Sequence, residues 1–232
     1  MTGHDIPIAT EEGTFGGYLA APTAARGPGV VVIQEIFGVN GFVRAVADEF
    51  AARGFFALAP DLFWRLEPNV QLTDKTDGDW KRALDLMGKF DIGTGVQDIQ
   101  AAITHLRKLP GVTGKVGVVG YCLGGRLAYL CATRTDSDAS VSYYGVAIEQ
   151  TLDEARNIRR PLLLHIAAAD EYVPPSAQKQ VVEGLAGIPQ VTTHVYPQMA
   201  HAFARIGGRY YDRANAELAN GRTATFFRQH LS

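Results

Sequence analysis

The sequence predicts an α/β fold, a mostly parallel central sheet flanked by helices on both faces. Two features of the chain carry that reading. Short apolar, β-rich runs alternate with amphipathic helical stretches, which is how parallel strands and their crossover helices appear in a sequence. Most of those runs are continuous rather than alternating, as expected for strands buried on both faces.

Taken in order, residues 14–20 read as an additional antiparallel strand, and the Val-rich run at 30–33 as the first parallel one. A helix at 41–53 leads to the run at 55–59. The stretch 62–79, rich in Pro, Asp and Thr, reads as a long excursion near a sheet edge. Helices are expected at 80–89 and 96–108, a strand at 116–119, and a helix with a small-residue start at 125–132. Runs at 140–144, 162–166 and 191–196 complete the strands, with helices at 176–186 and 210–230. No repeat, low-complexity tract or linker interrupts the 232 residues, so a single domain spanning 1–232 is expected.

A formal net charge of -2 gives no electrostatic footprint for nucleic acid or an anionic membrane, which leaves a small molecule as the expected partner. The start, MTGHDIPIAT, lacks the basic segment and apolar stretch of a secretory signal. No later apolar run approaches the roughly 20 residues needed to span a bilayer. The expected location is therefore the cytoplasm, where Cys122 and Cys131 are expected as free thiols. Their spacing is no metal motif, and neither metal nor cofactor is implied.

The sharpest local signal is Gly120-Tyr121-Cys122-Leu123-Gly124, between a buried-strand run and a helix. Gly-x-Cys-x-Gly in a strand-turn-helix context is a nucleophile elbow. Glycines are needed because the turn is so tight that a Cβ on either flank would collide with neighbouring backbone. A thiol at the positive end of the following helix is favoured as thiolate. The Leu123 N–H can donate to a developing oxyanion. The competing reading makes Cys122 a small buried residue before a closely packed helix.

Chain order adds to this, since α/β-hydrolases place nucleophile, acid and histidine in that sequence. Asp170 follows the apolar run PLLLHIAAAD, and His201 lies just beyond the last strand in VYPQMAHAF. A neutral imidazole can take the thiol proton, and a carboxylate on its other nitrogen fixes the tautomer. Alone, Asp170 reads as a turn-forming or helix-capping aspartate. Of the other histidines, His4 and His230 are terminal, His105 is on a helix expected to face solvent, and His165 and His194 lie inside strand runs. His165 reads as a satisfied core or near-site residue.

With these residues in place, the chain resembles the dienelactone hydrolases, or carboxymethylenebutenolidases, over nearly its whole length. The resemblance rests on Gln34-Glu35-Ile36-Phe37-Gly38-Val39-Asn40, Ala59-Pro60-Asp61-Leu62, the elbow through Gly125, Tyr143-Tyr144-Gly145-Val146, and His201-Ala202-Phe203-Ala204-Arg205. It implies a monomeric α/β-hydrolase that opens an enol-lactone bearing a carboxylate. It further implies that Glu35 holds the resting thiol and later takes its proton, that Ile36 N–H is the second oxyanion donor, and that Arg205 binds the substrate carboxylate. Phe37, Tyr143, Trp80 and Phe203 are carried over as substrate-binding positions. Without the resemblance, Glu35 reads as a cap of the helix near Asn40 and Arg205 as a surface arginine.

Trp80 stands where the family places a second carboxylate-binding arginine, with Lys81 and Arg82 adjacent, and Leu84 and Met87 stand where aromatic residues are usual. These changes imply a more apolar pocket. They keep two other readings open: a carboxylesterase or thioesterase acting on small acyl groups, and a non-catalytic protein whose Cys122 senses oxidants.

Overall fold

A computed structural model describes residues 3–232. Its centre is one eight-stranded sheet made of β1 (His4–Thr10), β2 (Gly13–Ala20), β3 (Gly27–Ile33), β4 (Phe56–Pro60), β5 (Val112–Tyr121), β6 (Ala139–Tyr143), β7 (Leu162–Ala167) and β8 (Val191–Tyr196). The spatial order is β1-β2-β4-β3-β5-β6-β7-β8. The β1–β2 and β2–β4 pairs are antiparallel; every pair from β4 onward is parallel. This is the α/β-hydrolase fold expected from the sequence.

The continuous apolar runs follow from two cores, one on each face. Along β3, Val31 and Ile33 enter one core while Val30 and Val32 enter the other. Residues of β7 alternate likewise, with Leu162 and Leu164 on the first face and Leu163 on the second. The first core is covered by α2 (Asp77–Lys89), α3 (Ile92–Lys108), α4 (Leu123–Arg134) and α5 (Pro175–Leu185). The second is covered by α1 (Gly41–Ala52) and α6 (Arg213–Leu231). Asn40, Thr76, Asp91 and Asp212 cap α1, α2, α3 and α6 by accepting the backbone N–H of the third residue of each helix.

Two segments depart from the sequence reading. β1 was not expected: it carries Pro7 on the sheet edge and only Ile8 is fully buried, so its apolar signal is weak. Ile148–Asn157 forms a 3-10 helical segment with a kink at Thr151, and so has no 3.6-residue pattern to read. The 62–79 excursion runs beside the β1–β2 edge of the sheet, as expected, with Trp64 stacked on Phe15 at 5.5 Å and Arg65 paired with Glu12, and it is also tied to the β3–α1 loop. Leu72 N–H donates to Phe37 O at 2.9 Å, and Asn40 Nδ2 donates to Leu72 O at 2.9 Å. Asn40, not Glu35, caps α1, its Oδ1 accepting from Val43 N at 3.2 Å.

Register positions the site. Ile33 pairs with Gly120 across β3 and β5, so both chains leave the sheet side by side, Glu35 two residues beyond one partner and Cys122 two beyond the other. Asp170 lies three residues past the end of β7, and His201 five past the end of β8. All four stand at the carboxyl ends of parallel strands, where open α/β sheets place ligands.

The close approach of α4 to the end of β3 has a measurable consequence. A Cβ on Gly124 would lie 2.5 Å from Gln34 O and 2.6 Å from Ile33 O. Gly124→Ala should therefore destabilise the protein by about 2–4 kcal/mol, seen as a lower Tm. Gly221→Ala, in the exposed interior of α6 with nothing within 4 Å of the added carbon, should instead stabilise it by about 0.5–1 kcal/mol.

Candidate active site

Cys122 occupies the elbow with φ 57° and ψ -114°, a conformation that L-residues rarely adopt and that only over-determining surroundings maintain. Those surroundings are visible. Its N–H donates to Tyr143 O at 3.1 Å, and its carbonyl accepts from Gly125 N and Arg126 N. A Cβ on Gly120 would sit 1.9 Å from Gly124 O, so the turn exists only with glycine there. The sulfur is half-buried and borders a cavity of about 320 Å³. The other thiol differs: Cys131 is fully buried on α4, and burial pushes it up to about 12, which leaves it inert.

His201 and Asp170 meet behind the sulfur. Nδ1 of His201 lies 2.7 Å from Asp170 Oδ2, while Asp170 Oδ1 accepts from Tyr172 N at 2.8 Å and Val173 N at 3.3 Å. Asp170 is thus both turn former and orienter. The imidazole is held between the rings of Tyr144 and Tyr172, at 5.1 and 4.9 Å between centroids. Nε2 has no fixed hydrogen-bond partner and is near enough to Cys122 to feel its charge. Burial pulls the imidazole down, but the Cys122 charge and the Asp170 hydrogen bond outweigh it and raise His201 to about 10.

Two backbone amides complete the group. Leu123 is the first residue of α4 and lacks an intrahelical acceptor. Ile36 follows Glu35 on the β3 exit and lines the same cavity.

Glu35 is fully buried and, unlike what the family resemblance implies, makes no hydrogen bond to the thiol. Its Oε2 accepts from Arg205 Nη1 at 3.0 Å, and its Oε1 has no partner. Burial pushes this carboxyl up, against the opposing pull of Arg205 and His201. Arg205 is no surface residue; it is buried, and its Nη2 lies 3.2 Å from Asp74 Oδ2. The expected carboxylate binder therefore already holds two carboxylates of its own chain.

Phe37 and Trp80 line the cavity in an edge contact at 5.1 Å, with Leu84 and Met87 alongside. Trp80 Nε1 donates to Asp74 O at 3.0 Å. Lys81 and Arg82 are exposed, Arg82 pairs with Glu67, and neither lines the cavity. Tyr143 and Phe203 are corrections, for both are fully buried outside the cavity. Tyr143 points to the α6 face, where its hydroxyl bonds Asn220 Oδ1 at 3.0 Å and Thr223 Oγ1 at 2.6 Å; side-chain alternation along β6 sends it there. Phe203 packs between Tyr144 and Tyr196 at 5.7 and 4.8 Å. His165 is a satisfied core residue, bonded to Tyr196 and Thr223. Tyr144, Tyr172, Asp74, Arg126 and Glu149 also surround the site, and sequence spacing gave no sign of them.

No group of three or more metal-type side chains stands together among the described residues. No helix of those residues is long and apolar enough to cross a membrane.

Fold, elbow and strand-end residues define an α/β-hydrolase. Residues 15–231 match the Dienelactone hydrolase family. An Azospirillum brasilense protein named "Putative carboxymethylenebutenolidase" is 48% identical, with 100% of each chain covered. A Pseudomonas putida "Carboxymethylenebutenolidase" is 37% identical over 97% of this chain and 96% of its own. Among solved structures, the "Putative Dienelactone Hydrolase" of Klebsiella pneumoniae superposes with a TM-score of 0.87 at 25% identity, covering 98% of both chains. The chain belongs to the dienelactone hydrolase family.

The charge on His201 can be tested directly. Cys122→Ala removes a negative charge that favours imidazolium, so the His201 titration followed by NMR should move to lower pH. A titration that stays in place would show that Nε2 does not face the sulfur.

Proposed function

We propose that the protein is a cysteine-dependent hydrolase that opens an enol-lactone of the dienelactone or carboxymethylenebutenolide type to a maleylacetate-type product through an acyl-enzyme. It acts as a single-domain monomer in the cytoplasm, on a lactone or ester that carries a carboxylate. Membership of the family and the carboxymethylenebutenolidase relatives support lactone hydrolysis. The observation that carries the finer reading is the line from Asp170 through His201, bonded at 2.7 Å, to the half-buried Cys122 at the cavity.

In this reading His201 Nε2 accepts the thiol proton, and the thiolate attacks the lactone carbonyl. Leu123 and Ile36 N–H groups stabilise the oxyanion. The carbonyl–oxygen bond breaks and the enolate leaves, taking up the proton that His201 holds and so freeing Nε2, though it requires less proton donation than an ordinary alkoxide. The thioester is then attacked by water, whose proton passes to His201, and the sulfur departs. Asp170 keeps the imidazole in one tautomer throughout. Glu35, with Oε1 unpartnered and its carboxyl raised by burial, is a second group in the pocket able to take up a proton.

One observation favours a broader substrate range. Trp80, Leu84 and Met87 form an apolar wall, which suits neutral esters as well as charged lactones. The deciding experiment is hydrolysis of a carboxymethylene butenolide and a neutral aryl acetate by wild type and Cys122→Ala. A strong lactone preference, abolished by the substitution, is the expected result; turnover of the aryl acetate alone moves the protein to general esterases. No turnover of either, with the substitution changing nothing, would favour the redox-sensing reading. Asp170→Asn should lower kcat/KM by roughly 10²–10⁴-fold with the fold intact.

A further inference from the structure

Two cavities meet beside Cys122. The one that holds the sulfur, about 320 Å³, shares Trp80, Tyr172, His201 and Arg205 with a second of about 220 Å³, and Asp74 and Glu171 line only the second. Arg205 thus stands between a nucleophile chamber and a side chamber, with one carboxylate reaching it from each. Glu35 Oε2 comes from the first at 3.0 Å and Asp74 Oδ2 from the second at 3.2 Å. His201 acts as a further cation beside Glu35, and Arg205 Nε is buried without a partner among the described residues, so donors for a further anion remain in this corner.

The two carboxylates are held differently. Glu35 is fully buried, and its contact is a hydrogen bond from Arg205 Nη1. Asp74 is within ion-pair range of Nη2 but makes no hydrogen bond to it, and its side chain keeps 11% of its exposure. Its Oδ2 accepts instead from Arg209 N, at 3.4 Å. An ion pair that water can reach contributes less than a buried, hydrogen-bonded one. The fixed part of Asp74 is its backbone, whose carbonyl accepts from Trp80 Nε1 at 3.0 Å, so the carboxylate can leave Arg205 by side-chain rotation while the loop stays in place. Rotation takes it into the side chamber, where Arg209 lies with no carboxylate within 4.0 Å among the described residues.

We propose that Asp74 is a specificity-determining residue: it occupies Arg205 as an internal stand-in for the substrate carboxylate and gives way when a carboxylated ester or lactone binds. This rests on the hydrolase reading above and leaves Arg205 as the receiver of that carboxylate. An acceptor already on the guanidinium lowers the apparent affinity of an incoming anion by the fraction of molecules in which the seat is open. A neutral ester reaches Cys122 with no such exchange. Asp74 therefore works against charged substrates alone, and removing it tightens their binding, a direction that damage to the fold does not produce.

The test uses maleate, a small dicarboxylate, bound to the Cys122→Ala protein and followed by calorimetry. Adding Asp74→Asn should tighten maleate binding about three- to tenfold. Glu171→Gln removes an exposed carboxylate of the same side chamber that pairs with no cation within 4.0 Å among the described residues; as the through-space control it should change binding by less than about twofold. Arg205→Gln should weaken binding about tenfold or more, and adding Asp74→Asn to it should restore none of the loss, whereas a through-space repulsion would be relieved there too. In the cysteine-containing protein, Asp74→Asn should lower KM for a carboxylated lactone about three- to tenfold and leave KM for a neutral aryl acetate within about twofold. Unaltered maleate affinity in Asp74→Asn, equal gains from Asp74→Asn and Glu171→Gln, a gain that persists without Arg205, or no maleate binding with or without Asp74 would each overturn the proposal. Should Arg205→Gln fail to fold, the comparison of Asp74→Asn with Glu171→Gln decides alone. Maleate binding requires no turnover, so a protein that hydrolyses no ester loses the hydrolase reading on separate grounds.

Discussion

The structure depends on how closely α4 can approach the end of β3. Gly120 and Gly124 carry no Cβ where one would meet backbone at 1.9 and 2.5 Å respectively. That contact drives the chain through the turn within one residue, and Cys122 absorbs the change with φ 57°. Three consequences share this cause. The sulfur reaches the cavity, the first turn of α4 points its free amides at the same place, and the Ile33–Gly120 register brings Glu35 and Ile36 alongside. A looser turn would lose all three together, because no side chain could restore a backbone amide displaced by an ångström.

Around that rigid point the buried charges are arranged in separate groups. Asp170 is bonded to two backbone N–H groups and to His201, so its charge is well compensated while it orients the ring. Glu35 and Asp74 converge on Arg205 instead. Buried carboxylates are tolerated only when paired, and the pairing here decides which charges remain available to a ligand. The cluster holds Glu35 beside Cys122 with Arg205 as its counter-charge, while Arg205 Nε stays buried without a partner.

Backbone-determined features were the ones legible in the sequence. The elbow glycines, the continuous strands and the order of Cys122, Asp170 and His201 each follow from rules of local geometry or topology, and each stands where it was expected. Edge strand β1 was hidden because one buried residue, Ile8, gives no pattern. Tyr143 and Tyr144 show the limit most sharply. Adjacent in sequence and packed in the same core, they meet different groups: Tyr143 reaches Asn220 and Thr223, while Tyr144, with φ 37° after β6 has ended, turns its ring onto His201. Asp74 and Arg126 were hidden for another reason: a side chain's importance here depends on which charges tertiary folding brings to it, and spacing along the chain does not record that.

The division between these two kinds of residue is also a division of labour in the site. Glu35, Cys122, Asp170 and His201, the groups proposed to make and break bonds, sit on the β3, β5, β7 and β8 exits, fixed by a parallel register and two packed cores. Most of the cavity wall comes from elsewhere: Trp80, Leu84 and Met87 on α2, Asp74 on the excursion before it, and Glu149 and Gln150 on the 3-10 segment. Those elements contribute no strand to the sheet, so their side chains can change without moving the sulfur or the imidazole. Arg126 is the exception, because it belongs to the helix that follows Cys122. A single turn of α-helix joins it to the elbow, so its backbone position is set by the same close approach of α4 to β3 that places the sulfur.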